Sequence, residues 1–199
     1  MRILYFLGVI ILFALGCTNA STKKASLTEA IVEEVKKDSF FPVTSFLKGQ
    51  MIVLDSLPVT PLHTITVNNE TDSIWIKKTD LNSLLADFLT PEIKENNLTD
   101  YFKETSFNDQ TLNTITFTYD PIKILPDSIS LKHWDIYIDP ETGKILKVYI
   151  VKELKEKGKT VTQQLTWKTN NWATIITLVN VPNGNTQVQK EEKFIWNFN

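Results

Sequence analysis

The sequence predicts an α+β fold, with N-terminal helices packed on one face of a largely antiparallel meander sheet of about six to eight strands. Three observations predict it. Apolar residues recur at helical spacing before about residue 60 and again near residues 81–89. From about residue 101 the apolar period drops to two. The breaks between the later segments are too short to hold a crossover helix, so consecutive strands must pair antiparallel.

Ser26 can cap a first helix, with Glu29 as its capping-box partner and Leu27, Ile31 and Val35 on one face. A second amphipathic stretch runs from Val43 to Leu57, with Phe46, Leu47, Ile52, Val53 and Leu57 mostly on one side. Pro58 and Pro61 end it. His63–Val67 and Ser73–Lys77 read as a hairpin around residues 68–72. Thr79 or Asp80 caps a third helix, whose stripe is Leu81, Leu84, Leu85, Phe88 and Leu89, with Pro91 near its end.

Strand patterns follow at 101–108, 112–120, 128–138, 145–153, 160–168, 172–179 and 188–198. The turns between the later ones offer Gly, Asn or Asp, as in Asp139-Pro140-Glu141-Thr142-Gly143. Ile115, Phe117 and Tyr119 oppose Thr114, Thr116 and Thr118. Val161, Leu165 and Trp167 likewise oppose Thr160, Thr162, Gln164 and Thr166. Such alternation marks a sheet covered by helices on one side and wetted on the other.

The first residues carry a different signal. Arg2 precedes a run of apolar and small residues that ends at Cys17, the order of a secretory signal. The run is shorter than the roughly 20 residues of a bilayer-spanning helix. Ala14-Leu15-Gly16-Cys17 resembles a lipobox, with Ala14 and Leu15 swapped from the usual order. The resemblance implies cleavage before Cys17 and acylation of its thiol, palmitate included. It divides the chain into a signal peptide (1–16), a lipidated tether (17–26) and one α+β domain (27–199). Thr18 stands where an inner-membrane retention signal has Asp, and no acidic cluster follows the cysteine. An outer-membrane lipoprotein facing the periplasm is the expectation. A secretory signal cut after Ala20 is the alternative.

Composition narrows the chemistry. Among 199 residues with net charge −2, Arg2 is the sole arginine. A mature domain without the bidentate guanidinium fork is poorly equipped for nucleotide or nucleic acid. Cys17 is the one cysteine, so no internal disulfide forms. Two histidines and no ligand-spaced motif give no expectation of a metal, and the six scattered glycines form no phosphate loop. No cofactor is expected.

His133 and Asp135 fall on one strand face with Leu131 and Tyr137, and could pair as base and orienter. An ordinary surface pair is the plainer reading. No catalytic motif is recognisable, and the expectation is a non-enzymatic protein. Of the five tryptophans, Trp134, Trp167, Trp172 and Trp196 are candidates to line a site for an apolar ligand, sugar or partner. Core packing is the alternative for each, and Trp172, just after a turn, is the best placed for exposure. Ser56, Ser73 and Ser128 sit in Asp-Ser-aliphatic tripeptides. These resemble the O-glycosylation acceptor of Bacteroidota, although Asp-Ser also suits turns.

Taken with its Trp-rich meander, the chain resembles small Bacteroidota lipoproteins. Residues 134–149, which read Trp-Asp-Ile-Tyr-Ile-Asp-Pro-Glu-Thr-Gly-Lys-Ile-Leu-Lys-Val-Tyr, are similar to hairpins of lipoprotein-carrier and PepSY-type folds. The carrier likeness implies a binding module for a lipid or other hydrophobic ligand, held at its membrane by Cys17. The PepSY likeness implies a structural or inhibitory subunit that binds an envelope protein.

Overall fold

The computed structural model describes residues 39–156, 158–180 and 184–197. The expected signal segment and tether, Cys17 and the helix expected from Leu27 lie outside the described residues. Those described belong to one unit, Asp38–Asn199. It contains helix α1 (Val43–Ser56), helix α2 (Lys78–Leu84), a 3-10 turn (Ala86–Leu89) and nine strands. The strands are β1 (Leu62–Val67), β2 (Glu70–Trp75), β3 (Phe102–Asp109), β4 (Thr114–Pro121), β5 (Leu131–Ile138), β6 (Ile145–Glu156), β7 (Lys159–Lys168), β8 (Trp172–Asn180) and β9 (Gln187–Ile195).

They form one antiparallel sheet in the order β2-β1-β9-β8-β7-β6-β5-β4-β3. Seven strands are the expected meander. The count of six to eight rises to nine because the β1–β2 hairpin joins the same sheet beside β9. After β2 the chain crosses from one edge of the sheet to the other before starting β3. The crossing segment carries α2, the 3-10 turn and the cis Thr90–Pro91 bond.

That crossing buries Ile76, Leu81, Leu85, Phe88, Ile93 and Leu98 together with residues of α1. It is stitched to the start of α1 by a reciprocal pair. Thr44 N–H donates to the Ile93 carbonyl at 3.2 Å, and Ile93 N–H donates to Thr44 Oγ1 at 2.8 Å. No side chain caps α1, so this pairing satisfies one donor that a helix start leaves open.

The buried stripe of α1 is Val43, Thr44, Leu47, Met51 and Leu54, the three-to-four spacing of a helix face. Ile52 and Val53, expected on that face, are turned out, and Ile52 is 72% exposed. The hairpin turn is also tighter than expected. Asn68 (φ 51°) and Asn69 (φ 65°) make a two-residue turn, the left-handed pair that matches strand twist and that Asn tolerates. The expected β5–β6 turn forms with Gly143 at φ 68°. Asp139 Oδ1 accepts from the N–H groups of Glu141 and Thr142 at 2.9 and 3.0 Å.

Tyr119, Trp134, Ile136, Val148, Ile150, Leu165, Trp167, Ala173, Ile175 and Phe194 make the covered face of the sheet. The opposite face is threonine-rich, as expected, but not uniformly wet. Thr114 and Thr116 are buried, Thr116 lying in register between Phe107 and Tyr137.

Candidate functional site

Three places concentrate chemistry. The first is a groove between α1 and α2. Met51, Leu54, Leu81 and Leu89 give it an apolar floor. Lys48, Asp55, Lys78 and Asn82 stand at its rim, with Ile52 beside them. Its volume is about 340 Å³, at the lower end of small-molecule sites. Its two walls are far apart along the chain, because the whole β1–β2 hairpin lies between the end of α1 at Ser56 and the start of α2. Lys78 Nζ holds the rim by donating to the carbonyls of Asp55 at 2.5 Å and Leu57 at 2.7 Å. A cation is favoured at these last carbonyls of a helix.

The second place is on the open face of the sheet. His133 Nδ1 lies 2.8 Å from Asp120 Oδ1, and its Nε2 lies 3.0 Å from Asp135 Oδ2. Asp135 also accepts from Thr118 Oγ1 at 2.7 Å. The hydrogen bond to Asp135 lifts the His133 pKa to about 9 against the opposing effect of burial, with Asp120 adding to the rise. Burial pushes the Asp135 carboxyl up, but His133 and Thr118 outweigh it and its pKa is lowered. The ring is therefore an imidazolium at neutral pH with both N–H groups donated. It offers no lone pair to a nucleophile, and the geometry is that of a clamp between β4 and β5. Leu131 does not share this face. A bulge between Leu131 and His133 turns Leu131 into the core, where it is fully buried.

The third place is inside. Lys152, on the covered face of β6, is buried and donates to the carbonyls of Asp87 at 2.7 Å and Thr90 at 3.1 Å. Its Nζ also lies 3.4 Å from Asp87 Oδ1, and Gln163 Nε2 donates to Asp87 Oδ2 at 2.9 Å. Burial pushes the Lys152 pKa down, partly offset by Asp87. This network ties the crossing segment to the sheet. His63 is buried too, stacked on Phe194 with ring centroids 4.2 Å apart. Its Nε2 lies 3.4 Å from Glu192 Oε1 without hydrogen-bond geometry, and burial lowers its pKa despite that carboxylate.

The four candidate tryptophans do not converge. Trp134 and Trp167 are fully buried and Trp196 nearly so. Trp134 stacks on Tyr119 at 4.5 Å, while Trp167 meets Trp196 at 5.1 Å and Phe88 at 5.5 Å. These three fill the space between sheet and helices, and none lines the groove. Trp172 alone lies on the open face, half-buried, with Lys193 Nζ 5.7 Å from its ring centroid.

Ser56, Ser73 and Ser128 are all exposed. Ser56 is the last residue of α1 and donates to the Val53 carbonyl at 2.6 Å. Ser73 lies on edge strand β2, 3.2 Å from Thr64 Oγ1. Cys17 lies outside the described residues.

Sequence reasoning did not single out the groove, Asp120 or the Lys152 network. Asp120 faces His133 only through the β4–β5 register. Lys152 read as one more polar residue in a strand, and Asp87 lies far from it along the chain. The one available signal was Lys152's parity with Val148 and Ile150. Among the described residues no group of three or more His, Asp or Glu converges as a metal site, and no helix is long and apolar enough to cross a membrane. A scan against protein-family models and searches of curated proteins and of solved structures each find no match.

Proposed function

We propose that this chain is a non-enzymatic binding module of the cell envelope, tethered to a membrane by lipid on Cys17, with the α1–α2 groove as the seat of a hydrophobic ligand. The observation that carries the ligand reading is the groove's apolar floor of Met51, Leu54, Leu81 and Leu89 beneath a polar rim. A short acyl or alkyl segment would lie on that floor while its polar end meets Lys48, Asp55 or Asn82. The Cys17 tether rests on the order of charge, apolar run and cysteine in the first seventeen residues.

Asn82→Trp tests the groove, because Asn82 lines it from the exposed side of α2 and the substitution fills it without disturbing the core. The wild-type protein should bind a fluorescent fatty acid, and Asn82→Trp should weaken that binding at least tenfold. Equal binding by both would remove the groove as the site. The intact mass of protein from the envelope fraction tests the tether. Acylation at Cys17 supports it, and a mature chain starting after Ala20 sinks it.

A second reading, binding of an envelope protein, has its own observation. Edge strand β2 is exposed along its whole length, with Ile74 and Trp75 about 60% exposed. An exposed edge strand of this kind accepts an added strand. Cross-linking from position 72 in cells would capture that partner.

A further inference from the structure

On the open face, the sheet register aligns one row of residues across all nine strands. It runs Trp75, Leu62, Ile195, Trp172, Lys168, Lys147, Tyr137, Thr116, Phe107. At its centre Lys147 and Lys168 stand directly opposite each other. Like charges in that position repel. Lys147 Nζ lies 3.6 Å from the Tyr137 ring centroid on one side, and Lys193 reaches Trp172 on the other. None of these three lysines forms an ion pair among the described residues, while Lys152, Lys155 and Lys190 each do. The acid whose charge acts on Lys147, Asp135, is also engaged by His133 and Thr118. Burial lowers the Lys147 pKa and neighbouring Lys168 lowers it further, against a smaller opposing pull from Asp135. A locally cationic strip, without a direct salt bridge among the described residues, thus sits on a protein of net charge −2.

We propose that the Trp172–Lys168–Lys147–Tyr137 row binds an acidic polysaccharide, its carboxylates meeting the lysines and its sugar rings lying along the aromatics. Charge complementarity calls for an anion, and the aromatic flanks call for an anion with apolar ring faces. Trp172 and Tyr137 are three strand steps apart, about 14 Å at 4.7–4.9 Å per step. A chain of rings spans that distance and a single small anion does not. A bilayer fits less well. Interfacial anchors protrude, whereas these four side chains are half-buried in the pleat. Strand twist of roughly 20° per step also turns the row away from any plane. The site is independent of the α1–α2 groove.

The test is retention of the full-length protein, in mild detergent at about physiological salt, during electrophoresis through gels containing polygalacturonate or its methyl-esterified, neutral form. Wild type should be retarded by the acidic polymer alone. Lys147→Gln/Lys168→Gln and Trp172→Ala should each lose at least tenfold in affinity while keeping the wild-type circular dichroism spectrum. No retardation of wild type would overturn the proposal. So would undiminished retardation of the double variant, or equal retardation by the neutral polymer. Vesicles of phosphatidylglycerol and phosphatidylcholine form the last arm. A lysine-dependent preference for the anionic vesicles, without retention by polygalacturonate, would assign the row to a membrane and also overturn it.

Discussion

Replacing His133 by glutamine should destabilise the protein in a way that depends on pH. In the folded state the ring donates to Asp120 and Asp135, and its pKa rises from 6.5 to about 9. At about 1.4 kcal/mol per pH unit, the difference amounts to at most about 3.5 kcal/mol. Asp120 is half exposed and His133 about a quarter exposed, so solvent screening brings the expected figure to about 2 kcal/mol. The sign follows from the direction of the shift. A raised folded pKa contributes stability that is whole below about pH 6.5 and is lost as pH climbs through about 9. Glutamine keeps some hydrogen bonding but cannot carry the charge. Urea unfolding of wild type and His133→Gln at pH 6 and at pH 9.5 isolates the effect, because all other titrations cancel between the two proteins. The penalty should be about 2 kcal/mol at pH 6 and should shrink to a few tenths at pH 9.5. A penalty that stayed constant, or grew with pH, would refute the clamp.

Three further outcomes follow from burial and backbone geometry. Lys152→Ala should cost about 2–4 kcal/mol in urea unfolding, because it leaves the Asp87 and Thr90 carbonyls and Gln163 around an empty buried site. Trp134→Ala should cost about 3–5 kcal/mol and Trp172→Ala about 1 kcal/mol or less; similar losses would contradict their placement on opposite faces of the sheet. Asn69→Gly, at φ 65° in the hairpin turn, should raise thermal stability by a few tenths of a kcal/mol, and a fall would contradict the two-residue turn.

Most strands were legible because one face of the sheet is covered. In β7 the alternation of Val161, Leu165 and Trp167 with threonine and glutamine leaves a single reading. Where local signals compete, the reading slipped. Ile52 and Val53 looked as apolar as Met51 and Leu54, and only the crossing segment decides which side of α1 is covered. Leu131 kept strict alternation in the sequence, but the extra residue at Lys132 reverses its face. The β1–β2 hairpin was visible from its asparagines and its strands, yet nothing local to it specifies β9 as a neighbour. The candidate site suffered most. Tryptophan signals burial and binding with the same residue, and three of the four candidates turned out to fill the core. The groove is lined from two helices that a whole hairpin separates along the chain, which no local spacing encodes.

The pairing of β1 with β9 sets an order of events. Leu62 meets Ile195 and Thr66 meets Glu191, so the hairpin that leaves the ribosome early waits for a strand that leaves late. Until β9 arrives, the hairpin has no sheet to join, and a two-stranded ribbon alone is marginal in water. Such long-range closure is slow, because the loop must be drawn in before any contact rewards it. The meander of β3 to β8 does not share this wait, because each of its strands pairs with the next along the chain. The sheet is complete only when β9, the last strand made, pairs with β8 on one side and β1 on the other.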